Sequence, residues 1–118
     1  MDSIKINDRT FTFSLQIIKL YKYLNSEHEY IMSKQLLRSG TSIGAKVEES
    51  QAAQSRRDFI SKISIASKEA RESKYWIRLL QHSGYLDNFK NRDELLVEVT
   101  NIVNIITKIV KSTQEREK

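Results

Sequence analysis

The sequence predicts an all-α protein, an antiparallel up-down-up-down four-helix bundle formed as one domain over residues 1–118. Three observations predict it. The chain contains no proline and only three glycines, so long uninterrupted helices are permitted. Apolar residues recur at steps of three and four in four separate stretches, the spacing of one helix face. Short polar breaks with cap signals separate the stretches, and short connections make consecutive helices antiparallel neighbours. A content of 39% hydrophobic and 30% charged residues suits a small bundle with a modest core.

The first helix is expected from about Asp8 to Asn25. Phe13, Ile17, Leu20 and Leu24 share one face, and Phe11, Leu15 and Ile18 are expected to widen it. Asn25, Ser26 and Glu27 form the expected turn. The second helix is expected from about Glu29 to Ala53, with Leu36, Gly40, Ile43 and Val47 on its seam and Leu37 and Gly44 beside them. Two glycines four residues apart cost about 1 kcal/mol each in helix propensity. Either a neighbouring helix packs closely against them and offsets that cost, or the helix breaks near Gly40.

Ser55 with Asp58 three residues on resembles a capping box and starts the third helix, expected over Arg56 to Ser83. Its seam runs Phe59, Ile63, Ala66, Ala70, Ser73, Ile77 and Leu80. The small middle of that seam calls for a bulky neighbour or a close helix opposite. Gly84 is placed to end the helix in a left-handed conformation. Asn91, with Glu94 behind it, is the expected N-cap of the fourth helix, whose seam is Leu95, Val99, Ile102, Ile106 and Ile109. The tail Gln114–Lys118 is expected to fray.

The net charge of +5 is unevenly placed. Residues 1–30 and 91–118 are each balanced, so the whole excess lies in residues 31–90. A basic middle attracts nucleic acid or an acidic protein, and it also serves plain solubility. The absence of cysteine excludes disulfides and thiolate metal sites. No apolar run approaches the roughly 20 residues that span a bilayer. The start, MDSIKINDRT, lacks a basic segment followed by an apolar one. The expectation is a soluble cytoplasmic protein.

Three groups of residues resemble a known family: Ser42-Ile43-Gly44-Ala45-Lys46-Val47-Glu48-Glu49, Asp58-Phe59-Ile60, and Ile65-Ala66-Ser67-Lys68-Glu69-Ala70-Arg71-Glu72 followed by Tyr75-Trp76. They are similar to the small four-helix bundle proteins encoded in intervening sequences of large-subunit ribosomal RNA genes. This chain has Gly44, Lys46 and Ser50 where that family often has Pro, Asn and Gly. The resemblance implies an up-and-down bundle assembled as a ring, with pentamers the associated arrangement. It also implies a relation to the accessory protein of diversity-generating retroelements, which partners a reverse transcriptase and binds nucleic acid. It implies no catalytic residues.

Two stripes on the third helix carry candidate function. Ile65, Glu69, Glu72, Trp76 and Leu79 lie beside the core seam and form a candidate oligomer interface with Trp76 as anchor. Glu69 and Glu72 would then meet Lys or Arg of another subunit; the alternative is that Trp76 caps its own core. The outward stripe runs Arg57, Ser61, Ser64, Lys68, Arg71, Tyr75, Arg78 and His82, with four cations and no carboxylate. Arg57, Lys68, Arg71 and Arg78 suit phosphates and Tyr75 suits a stacked base, which makes RNA or DNA the candidate ligand. A solvated helix face is the plainer alternative. Arg38 and Lys46 are candidates to extend the patch.

Reaction chemistry has little support. His28 and His82 complete no Glu-x-x-His motif with Glu48, Glu49, Glu69 or Glu72, so salt bridging is expected of these carboxylates rather than metal binding. No Gly-x-Ser-x-Gly turn and no phosphate-binding glycine loop occurs. The expectation is a non-enzymatic, cofactor-free homo-oligomer that binds nucleic acid. The alternative is an adaptor that recruits a nucleic-acid enzyme.

Overall fold

The computed structural model describes residues 2–117, with side chains from Ile6 to Arg116. These residues form four helices: α1 (Asp2–Ser26), α2 (Met32–Gln51), α3 (Arg56–His82) and α4 (Arg92–Glu117). Each packs against its neighbours in sequence, and α4 closes back on α1; α1 and α3 sit at diagonal corners. The result is a rod of 48 × 20 × 20 Å. No helix is long and apolar enough to cross a membrane, among the described residues.

α1 begins six residues before the expected start because its seam continues upstream: Ile6 and Thr10 are as buried as Phe13 and Ile17. The expected widening of this seam is corrected. Phe11, Leu15 and Ile18 are 67%, 54% and 37% exposed. Thr10 belongs to the seam itself, its hydroxyl donating to the Ile6 carbonyl at 2.8 Å. The backbone of α2 comes in at this point. A Cβ on Gly44 would lie 3.3 Å from the Thr10 carbonyl oxygen, and one on Gly40 would lie 2.9 Å from Ile17 Cγ1. The glycines therefore serve close packing, and α2 runs through Gly40 unbroken.

α1 ends in a Schellman arrangement. The Glu29 N–H reaches the Leu24 carbonyl at 2.9 Å and the His28 N–H reaches Asn25 at 3.0 Å, with His28 left-handed at φ 64°. Glu29 then does not begin α2, as expected, but caps it. Its carboxylate, on a residue 6% exposed, accepts from the N–H groups of Ile31 (3.1 Å), Met32 (3.0 Å) and Ser33 (2.7 Å). A negative group here satisfies free donors and complements the helix dipole. Glu29→Ala is expected to cost about 2 kcal/mol, since three N–H groups lose a charged acceptor. Urea denaturation checks this through a lowered midpoint.

Ser55 caps α3 as predicted: its hydroxyl accepts from the Asp58 N–H at 3.0 Å, while Asp58 accepts from the Gln54 N–H at 3.2 Å. Gly84, at φ 88°, closes the far end, with the Tyr85 N–H on the Leu80 carbonyl at 3.0 Å. The small middle of the α3 seam faces α2, where the buried Ser73 and Ser39 hydroxyls meet at 2.9 Å. The connection to α4 plugs the end of the bundle with Leu86, fully buried, and sets Phe89 against Tyr23, the rings tilted by 50° with centroids 5.1 Å apart. α4 starts beside Asn91, whose carbonyl accepts from Leu95 at 3.0 Å. It does not fray at Gln114 but continues to Glu117, anchored by the buried Thr113; Lys118 lies outside the described residues. Arg9 forks onto Glu98 at 3.0 and 2.8 Å and ties α1 to α4. The Glu98 hydrogen bonds raise the arginine's pKa above its ordinary value.

Candidate nucleic-acid interface

α3 runs without a break between its caps at Ser55 and Gly84. Residues spaced alternately three and four apart along it share one face, which drifts by about 20° every seven residues. Arg57, Lys68, Arg71 and Arg78 are exposed, and Tyr75 is 55% exposed. At 1.5 Å per residue the row from Arg57 to Arg78 spans about 30 Å. Among the described residues Arg57, Lys68 and Arg78 make no ion pair. Arg71 reaches across to α4, where its guanidinium donates to the Thr107 hydroxyl at 3.0 Å.

That contact shows what lies beside the row. Thr100, Asn104, Thr107 and Lys111 follow each other at +4, +3 and +4 on α4, a polar stripe without a carboxylate. Arg71 is thus flanked on this side by a hydroxyl, in a stripe whose next member after Lys111 is the exposed Glu115. Sequence reasoning missed this wall, because only the packing of α3 on α4 brings Thr107 to Arg71.

On the other side of α3 the carboxylates point away from the row. Glu69 accepts from Arg38 of α2 at 3.3 Å, and Glu72 accepts from the same guanidinium and from Trp76 Nε1, the latter at 3.0 Å. Within the single chain, Arg38 pairs with both Glu69 and Glu72. Trp76 packs partly against the core, with Tyr75 edge-on to it at 5.2 Å. Ile65 and Leu79 are the exposed apolar members of that stripe, at 37% and 38%.

Arg38 and Lys46 do not extend the basic row. Arg38 is held between the two glutamates, and Lys46 lies 3.3 Å from Glu49, which also meets Lys62 at 3.7 Å. His28 bonds Tyr30 at 2.9 Å in the α1–α2 turn, at the end of the rod remote from the start of α3. Among the described residues no group of three or more histidine or acidic side chains is arranged to hold a metal ion.

The fold and this face define an antiparallel four-helix bundle with exposed cations along one outward helix face. The chain belongs to the 23S rRNA-intervening sequence protein family, which matches residues 2–108. It is similar to the crystal structure of a protein of unknown function from the S23 ribosomal protein family of Bacteroides thetaiotaomicron. The TM-score is 0.88 at 42% sequence identity, covering 94% of this chain and 99% of that one. No curated protein matches the sequence.

Proposed function

We propose that this protein is a non-enzymatic, self-associating module that binds nucleic acid along the outward face of α3. One observation carries the reading. Arg57, Lys68, Arg71 and Arg78 are exposed on one face, while Glu69 and Glu72, the carboxylates beside Lys68 and Arg71, are drawn to Arg38 on the far side. Phosphates meet Lys68, Arg71 and Arg78 there with Glu69 and Glu72 engaged by Arg38, and Tyr75 offers a face for an unpaired base. The charge is not tied to any base-reading geometry, so binding is expected to show little sequence preference. Self-association repeats the row in every copy and multiplies weak contacts. Five copies are expected, as the family resemblance implies.

The family name ties these proteins to 23S rRNA, which makes RNA the first probe. Short RNA, single-stranded DNA and duplex DNA are titrated over a salt series. With about three phosphates neutralised per protomer, the log–log salt slope for single strands is expected near −2 per protomer engaged. Absence of binding by the intact assembly at low salt overturns the reading and turns attention to protein partners such as a nucleic-acid enzyme.

A further inference from the structure

The most exposed large apolar side chains of α1 are those the core does not use. Asp8, Phe11, Leu15, Ile18 and Lys22 form one stripe at +3, +4, +3 and +4. Its apolar middle flanks a groove of about 520 Å³ between α1 and α2, floored by Thr41, Gly44 and Ala45. The groove is concave because α2 has no bulk here: the Gly44 backbone lies directly against Thr10 and Ser14. A soluble monomer gains nothing from holding Phe11 at 67% exposure beside such a hollow.

We propose that this α1/α2 groove is the surface on which a second copy of the chain docks. The inference rests on the self-association in the reading above and names the face that performs it. Charge selects the occupant. Asp8 and Glu48 stand at one end of the groove, and Lys19 and Lys22 lie toward the other, all exposed. A nucleic acid or an anionic lipid surface is repelled by the acidic end. Another copy of this chain brings exposed groups of both signs along α1, Asp8 with Lys19 and Lys22, and can satisfy each end with its opposite.

Docking here also leaves the basic row free. α3 occupies the corner diagonal to α1 and touches only α2 and α4, so the assembly keeps one nucleic-acid face per copy.

Multi-angle light scattering of the full chain tests this, with circular dichroism on the same samples. The wild type is expected at a multiple of 13.8 kDa. Phe11→Glu/Leu15→Glu is expected at the single-copy mass with unchanged helicity, because both side chains are already in solvent. Ala45→Arg, which fills the groove from α2 and leaves the α1 side chains as they are, is expected to give the same mass as the double variant. If the wild type assembles and both folded variants keep its mass, the groove is not the docking face, although self-association stands. If the wild type itself runs as one copy at tens of micromolar, self-association and this inference fall together.

Discussion

Lys68→Glu/Arg71→Glu/Arg78→Glu is expected to lower affinity for short RNA by about a hundredfold or more near 100 mM salt, with the assembly mass unchanged. Each replacement removes a phosphate contact, and each lost contact lowers the salt slope by about one. Each also adds a charge that repels the backbone. The fold has little stake in these groups: Lys68 and Arg78 make no ion pair among the described residues, and Arg71 loses one surface hydrogen bond to Thr107. Surface changes of this kind move stability by a few tenths of a kcal/mol each. A control with reversed charges elsewhere, Lys34→Glu/Lys90→Glu, is expected to weaken binding only slightly. Equal losses in both variants would mean that binding follows net charge and not the α3 face. Arg57→Glu alone is the milder companion, since Arg57 stands at the end of the row.

The basic row was readable because it requires only the helical period and one helix's own residues. The Ser55 cap and the Gly84 terminus were readable for the same reason: their partners lie within five positions. What escaped depends on which helix lies beside which. Glu69 and Glu72 look unpaired until Arg38, on α2, is seen to hold both. Phe11, Leu15 and Ile18 look like a broader core face, because periodicity finds an apolar arc without saying where burial stops. The close approach of α2 at Gly40 and Gly44 narrows the buried arc to the Ile6–Thr10–Phe13–Ile17 seam and leaves the other three in solvent. Glu29 escaped for a local reason. A glutamate that caps from outside the helix, through backbone N–H groups two to four residues on, resembles an ordinary first-turn acid in sequence.

Gly40→Val is expected to destabilise the protein by about 3 kcal/mol, the range in which overpacking of a filled core falls. Even the first carbon of a side chain there has no room. A Cβ would stand 2.9 Å from Ile17 Cγ1, 3.0 Å from Cγ2 and 3.3 Å from Cβ. Ile17 cannot swing aside: it is fully buried, and a β-branched residue in a helix has essentially one χ1 well. Relief must come from moving α2 off α1, which opens the seam along Phe13 and Ile43. Against this, replacing glycine in a helix returns about 1 kcal/mol of propensity at most. Gly40→Ala is therefore expected to be destabilising but milder than valine, and thermal melting should rank the three proteins glycine, alanine, valine. Gly44→Ala is expected to cost less than Gly40→Ala, because its nearest contact is 3.3 Å, from the Thr10 carbonyl. The decisive comparison is with Ile17→Ala/Gly40→Val. If the clash is with Ile17, removing that side chain makes room for the valine, and the double variant is more stable than the sum of the two single losses by about 1 kcal/mol or more. Additive losses would mean that α1 and α2 do not meet at these two residues. The buried arc of α1, and with it the exposure of Phe11 and Leu15, would then need another cause.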